Sequence, residues 1–596
     1  MVNLARFSFT RTKEADNEVN LDPTPALNFY PSGHQNGGVS ITGLSALGTS
    51  IFAPLSQVQN KFPLADDIIW NKGSHSFKFG GLFSRVQSNF TQDGWWGGSY
   101  SFTSIPNFLE GNPFLFIGPI PPYTDSTRDF REIEVDGYAQ DEWKATSKLT
   151  VNIGVRYEFI TNPTTDLQPL NNIINPPFGG FVPVSHVFAS NPSTHNWDPR
   201  LGLAFDPFKD HKTSIRIGAG IFYDPIRART YASGYYFNKP YELAFELPAP
   251  PFPNPFATGY SIPSEIVGID YNIHDTPHMY QWNMNIQREL FESTVLTVGY
   301  VGSRGLHLYE GRDINPVEPT IVNGVSYFGH LSASGAIVGN PRENPALGAL
   351  SSEAPVGDSH YNSLQVGLNR RFSHNIQGQL SYTWSKCIDN TSGTSGLEGG
   401  APWTDPLAGN YDEGRCQFDR SQFVKLSSVY SFPFRGNVLV SGWQLSGDFT
   451  YSSGAPWNVI LDFDQAGNGN SAEERPNIIS GVNPIVGNVN GYANPAAFSV
   501  PAVGTLGNLQ RDYLSGPGLV NTDFALLKDT RIHEQVRLQF RAEFFNIFNH
   551  ANFGLPNGIA FSQGPAGTGI PNSTFGQITY TTTSSRQIQF ALKLLF

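Results

Sequence analysis

Residues 373–386 read SHNIQGQLSYTWSK, and they decide the fold. In an extended chain successive side chains point to opposite faces. Asn375, Gln377, Gln379, Ser381, Thr383 and Ser385 therefore share one face, and Ile376, Leu380, Tyr382 and Trp384 share the other. One face is wet and one is greasy, the period of a half-buried strand rather than of a helix. The same division separates Leu149, Val151, Ile153, Val155, Tyr157 and Phe159 from Thr150, Asn152, Arg156 and Glu158. It returns near the end of the chain, where Val536, Leu538, Phe540, Ala542 and Phe544 oppose Arg537, Gln539, Arg541 and Glu543.

Alternation alone does not separate a soluble sandwich from a sheet that faces lipid. The connections do. Tight turns fall at 71–75, 144–148, 207–212, 290–293, 373–375, 434–437 and 532–535. Between them lie long Gly-, Pro- and Asn-rich connections at about 91–130, 162–196, 225–275, 310–357, 388–419, 453–518 and 550–585. Short and long alternate throughout, the rhythm of a transmembrane barrel with short periplasmic turns and long external loops. Soluble domains rarely use loops of this length. Counting back from the last strand, 586–596, gives roughly sixteen antiparallel strands in an all-β meander, an even number. Aromatic residues at strand ends, among them Tyr382, Trp384, Phe544, Phe545 and Phe548, suit interfacial belts.

Composition agrees. Charged residues are 15% of the 596-residue chain and aromatics 13%, with 60 Gly and 44 Pro. The net charge of -12 is spread without blocks, so no basic footprint for nucleic acid exists. No run of about 18 apolar residues supports a transmembrane helix, which a barrel does not need. The first residues, MVNLARFSFTRTKEADNE, contain no apolar signal-peptide core, so the reading expects the true N-terminus to lie upstream. The chain divides into residues 1–61, an N-terminal strand and long loop, and 62–596, the barrel.

The terminal segment RQIQFALKLLF places Ile588, Phe590, Leu592, Leu594 and Phe596 on one face. It resembles the C-terminal assembly signal of outer-membrane barrels, which implies the barrel assembly machinery as a partner. An ordered series of segments resembles the barrel of TonB-dependent transporters of the Oar-like group. These are GYAQDEWKATSKLTVNIGVRYE (137–158), WDPRLGLAFDP (197–207), WNMNIQREL (282–290), YVGSRGLHL (300–308), YNSLQVGLNRRF (361–372), SYTWSKCIDN (381–390), SGWQLSGDFTYSSGAPW (441–457) and FRAEFFNIFNHANFG (540–554). The resemblance implies a Gram-negative outer-membrane location, surrounding lipid, and coupling to the TonB complex through an upstream plug. Barrels of this family have about twenty-two strands. No plug, TonB box or regulatory-like domain is recognised in the chain, so several first strands and the plug are expected to precede it.

No HExxH, Walker loop, GxSxG elbow or CxxC pair occurs, so no catalytic site or cofactor is assigned. His274 and His278 in HDTPH form the closest histidine pair, read as loop residues rather than metal ligands. The loop DFDQAGNGNSAEE offers Asp462, Asp464, Asn468 and Asn470 as oxygen donors without EF-hand spacing, and is read as an acidic external loop. Arg156, Glu158, Arg537, Arg541 and Glu543 on wet faces are read as structural ion pairs of the lumen, with a substrate path as the alternative. Trp95 and Trp96 are read as a packed loop or interfacial anchor rather than a stacking site. Cys387 follows one strand and Cys416 precedes the next, so a disulfide across the base of an external loop is expected, two free thiols being the alternative.

Three functions fit: the barrel of a TonB-dependent uptake receptor, a passive porin-like channel or surface-exposed structural barrel, and a secreted β-rich enzyme or adhesin. The first leads.

Overall fold

A computed structural model describes the chain apart from residues 17–28, 30–36, 43, 49, 51–52, 54, 93–96, 120–126, 168, 239–243, 260–263, 292, 393–402, 471–473 and 534. Sixteen principal strands pair in chain order. β1 (Val2–Phe7, continued by Thr10–Asp16), β2 (Leu55–Lys72), β3 (His75–Gln92), β4 (Arg128–Lys144), β5 (Leu149–Ile160) and β6 (Trp197–Phe205) form the first part. β7 (Thr213–Tyr223), β8 (His278–Phe291), β9 (Thr294–Asp313), β10 (Ala349–Ser373) and β11 (Ile376–Asp389) continue it. β12 (Gln422–Ser431), β13 (Trp443–Ser452), β14 (Leu519–Arg531), β15 (Arg537–Phe545) and β16 (Gln587–Leu595) complete it. Every pairing between these neighbours is antiparallel, so the seven tight turns lie on one rim and the long loops on the other.

Local chemistry sets the turns and breaks. His374 and Asn375 both hold positive φ, 50° and 62°, the two left-handed residues that let a two-residue hairpin follow the twist of its strands. The β2–β3 turn uses Gly73 at φ 60° for the same reason. Between β12 and β13 the connection is longer than the turn read at 434–437. There the Asn437 side chain accepts from the N–H of Leu439 and Val440 and holds a compact bend. β1 is interrupted at Ser8 and Phe9, opposite Pro63 of β2, which has no N–H to give to the ladder; the Ser8 N–H still reaches the Pro63 carbonyl at 3.1 Å.

The apolar face of the sheet is uncovered. Trp384, Phe590 and Leu592 are each more than half exposed, with Val155, Leu364 and Leu426 also exposed on that face. The large buried clusters lie in the long loops instead. Phe29, Val39, Ile41, Tyr100, Phe102, Phe116 and Leu247 pack together from three of them, and Trp457, Phe498, Leu509, Leu514 and Phe575 from two more. A helix, Ala228–Phe237, carries Tyr231 and Tyr235 onto Phe90 and Phe130, on the polar side of the sheet near the loop rim. A greasy sheet face without a protein partner beside a polar face partly covered by loops is the arrangement of a membrane barrel, not of a sandwich.

Leu380, between Leu368 and Leu426 and five residues from the His374–Asn375 turn, lies near mid-height of the apolar band. Leu380→Arg should cost about 2–4 kcal/mol of unfolding free energy, while Gln379→Arg on the opposite face should cost under about 1 kcal/mol. Urea unfolding in phospholipid vesicles measures both.

Candidate functional site: the polar wall and its loop cap

The register places Arg6, Lys61, Asp67, Glu134, Asp136, Arg156 and Glu158, from β1, β2, β4 and β5, on one face. Arg156, paired with Tyr138, reaches Asp136 at 2.6 Å and Glu158 at 2.5 Å. Lys61 meets Glu134 at 3.0 Å, Arg6 pairs with Asp67, and Asp67 also accepts from the Tyr138 hydroxyl at 2.7 Å. The face on which the loop helix sits is the same one, since the Tyr231 hydroxyl donates to Glu132 at 2.9 Å. Arg156 and Glu158 are thus brought into one ion-pair ladder; Arg541 stands 3.8 Å from Glu543 on β15, and Arg537 pairs in register with Arg531 and Leu595. Such partly exposed pairs contribute little net stability each, but they fix a wall of alternating sign.

Above the wall, residues 390–421 and 453–518 are tied together by two buried arginines. Arg475 is fully buried, bonds Asp412 at 2.7 Å and the Leu509 and Tyr411 carbonyls at 3.0 and 2.8 Å, and lies 4.1 Å from the Tyr411 ring centre. Arg511 pairs with Asp389 and donates to the Asp412 carbonyl at 2.7 Å. A buried guanidinium satisfies its donors only in a planar fork of acceptors, which these carboxylates and carbonyls supply. Sequence reasoning did not single out Arg475 or Arg511. The available signal was that each is one of only two basic residues in an otherwise acidic loop.

Cys387 and Cys416 are joined in a disulfide with Cα atoms 5.3 Å apart, at the base of the 390–421 loop. The Cys416 N–H donates to the Cys387 carbonyl at 3.1 Å, and the Cys387 N–H to Asp419, which Arg415 holds at 3.0 Å. The acidic loop has spent its oxygens internally. Asp464 accepts from the N–H groups of Gly467, Asn468 and Gly469 at 2.6, 3.1 and 2.8 Å. Asp462 accepts from Ser562, and the Asn468 amide donates to the Thr404 carbonyl. Among the described residues no group of three or more His, Cys, Asp or Glu side chains is arranged to hold a metal. His274 and His278 are not brought onto one centre: His278 stacks with His307 at 5.3 Å, and His274 lies 3.6 Å from Asp275. Trp95 and Trp96 lie outside the described residues. Ile588, Phe590, Leu592 and Leu594 form one exposed row of β16, with Phe596 exposed just beyond it.

An antiparallel meander of sixteen strands with one uncovered apolar face, one face carrying an ion-pair ladder and long folded loops on one rim is the pattern of an outer-membrane β-barrel. The profile of the outer membrane beta barrel domain family matches residues 1–589, and the chain belongs to that family, which places it in the Gram-negative outer membrane. It is similar to the TonB-dependent transporter Oar of Myxococcus xanthus, 23% identical over 357 residues that make up 54% of this chain and 30% of that protein. Among solved structures it resembles the outer membrane transporter YddB of Escherichia coli (TM-score 0.49, 11% identity, 94% of this chain and 57% of that one). It also resembles the ferric-catecholate import receptor Fiu of Escherichia coli K12 (TM-score 0.45, 10% identity, 100% and 61%). The chain thus spans less than a third of the length of its curated relative.

Burial raises the Glu474 carboxyl well above its usual range, and the neighbouring Asp464 raises it further, against the N–H bonds from Gln465 and Ala466 that oppose the shift. The folded loop therefore holds this proton more tightly than the unfolded chain does. Its contribution is fully present below the ordinary Glu value of about 4.3 and is lost as pH rises from there toward the folded value. Hydrogen exchange at Gln465 and Ala466, corrected for intrinsic rates, should show protection falling with rising pH, and Glu474→Gln should flatten that dependence. Separately, Arg475→Met leaves Asp412 buried without its partner and should loosen the two loops by about 3–5 kcal/mol, read as faster proteolysis within 453–518.

Proposed function

We propose that the chain is the barrel of a TonB-dependent outer-membrane transporter that imports a solute, and that it is not an enzyme. The observation that carries this is the pairing of a polar, ion-laddered wall with a cap of long loops locked to one another by Arg475, Arg511 and the Cys387–Cys416 bridge. A freely diffusing pore gains nothing from a cap cross-linked over its mouth. A receptor does, because preorganised loops lower the ordering cost of holding a ligand. The similarity to a TonB-dependent transporter supports the same reading. In it, TonB acts through an upstream plug seated against the ladder of Lys61, Glu134, Asp136 and Arg156. The barrel assembly machinery reads the row Ile588, Phe590, Leu592, Leu594 and Phe596, and the disulfide persists in the oxidising envelope.

The full-length gene product, expressed in its native envelope, should support solute uptake that stops when TonB is deleted or the proton gradient is collapsed. Uptake that continues undiminished under both conditions identifies a passive channel and removes the proposal. Deletion of Phe596 should lower the amount of heat-modifiable, membrane-inserted protein.

A further inference from the structure

The turn rim is basic in an acidic chain. Across 71–75, 144–148, 206–212, 288–293, 370–375, 431–442 and 528–537, the seven turns with their adjoining residues, twelve Lys and Arg stand against six Asp and Glu, while the whole chain carries -12. One part of this rim turns toward lipid. Pairing sets Ile215 and Ile217 of β7 between Phe205 and Leu203 of β6 and Ile286 and Met284 of β8, and next below them on the same face it sets Thr213 beside Arg288. Phe205, Ile217, Met284 and Ile286 are exposed on this face, so Arg288 ends a lipid-facing row.

At that end the chain builds a pocket. A cavity of about 480 Å³ opens between Phe208, Lys209 and Asp210 of the β6–β7 turn and Arg288 of β8. The guanidinium carbon lies 5.4 Å from the Phe208 ring centre, and the guanidinium donates to the Thr213 hydroxyl at 2.5 Å and to Asp210 at 3.2 Å. Two of its five N–H groups are thereby used and three remain. The Lys212 N–H holds the other Asp210 oxygen at 3.1 Å, so the one acid of the pocket is engaged on both sides. Lys209 stands exposed at the lip, its ammonium in no ion pair among the described residues. Phe208 is exposed as well, and so are Leu290 and Phe291, which follow Arg288 in the chain.

We propose that this pocket holds the headgroup of an anionic phospholipid of the periplasmic leaflet, with the phosphodiester between Arg288 and Lys209 and the acyl chains along Ile215, Ile217, Met284 and Ile286. A phosphate oxygen accepts from a guanidinium fork while the plane of that fork packs on an aromatic ring, and Arg288 on Phe208 offers both. Two cations against one engaged acid leave a positive surplus beside the bilayer, which a headgroup of net negative charge matches. A zwitterionic headgroup brings an ammonium that Lys209 and Arg288 repel. A free phosphate lacks the acyl chains that cover the apolar rungs directly above the pocket. The site is made by three consecutive strands and one turn on the lipid side of the sheet. Neither the closure of the sheet nor the contents of its polar side bears on it.

The test is native mass spectrometry of the full-length protein released from a nonionic detergent and titrated with phosphatidylglycerol, phosphatidylethanolamine and glycerol phosphate. The first phosphatidylglycerol should bind at least about fivefold more tightly than the first phosphatidylethanolamine, and glycerol phosphate should not compete with it. Each cation beside an anionic headgroup is worth about fivefold, so Lys209→Gln should weaken phosphatidylglycerol about fivefold and Lys209→Gln with Arg288→Gln about twenty-fivefold. Arg435→Gln, on another turn of the same rim, should leave it within about twofold. Lys209 is exposed and holds no partner that folding needs, so its variant reads the site even if the double variant fails to fold. Equal affinity for the two lipids overturns the proposal. So does an equal loss in Lys209→Gln and Arg435→Gln, which marks diffuse attraction by the whole rim. Competition by glycerol phosphate at the affinity of the lipid identifies a site for free phosphate and overturns the lipid assignment.

Discussion

Hydrocarbon offers no hydrogen bonds, so a backbone crossing it must satisfy its own N–H and C=O groups, each unsatisfied group costing several kcal/mol. The rest of the molecule follows from this constraint. Sixteen strands pair with their chain neighbours because consecutive antiparallel pairing is the shortest way to meet it. The seven turns on one rim can be tight because they need do nothing else. Even the exception conforms: where Pro63 has no N–H, β1 keeps its register across Ser8 and Phe9 and the Ser8 N–H still bonds the Pro63 carbonyl.

The hydrophobic effect is put to use elsewhere. With one sheet face turned to lipid and the other to water, the sheet has little interior to bury, and the apolar clusters form where the loops meet one another or, as at Phe90 and Phe130, where a loop helix meets the strands. Tyr100 packs at a tilt against Phe116 with ring centres 4.7 Å apart in one such cluster, and Trp457 stacks on Phe575 at 6.0 Å in another. The loops are in effect small water-soluble domains, so they can afford buried ions such as Arg475 only because each guanidinium nitrogen has an acceptor.

The strands were legible in the sequence because their period is two and their connections differ in length, and both signals are local. Sixteen strands, six of the seven turns and the split of Leu380, Tyr382 and Trp384 from Gln377 and Gln379 all follow from neighbours within ten residues, whereas the connection read as a turn at 434–437 runs from Ser431 to Trp443. The joining of Cys387 and Cys416 was accessible for a related reason, since the strand direction brings both to one rim. The cap was not legible. Arg475 and Asp412 are 63 residues apart, and nothing near either one announces the other. The acidic loop around Asp464 misled in the opposite way: its oxygens suit a cation by composition, yet its own N–H groups take them up through turns that glycines allow. The pocket between Phe208 and Arg288 also became visible only in register, because the pairing of Thr213 with Arg288 is what sets the two side by side.

The height of the sheet carries one more consequence. β10 runs for 25 residues, about 80 Å of extended chain at roughly 3.3 Å each. Tilted about 40° from the barrel axis, it rises about 60 Å from its turn, against an apolar band about 25 Å tall. The sheet therefore continues as a parapet some 30 Å or more above the lipid. At physiological salt a surface potential decays over about 8 Å. The charge of the bilayer is screened well below the top of the parapet, and a solute arriving at the loops meets the field of the protein alone.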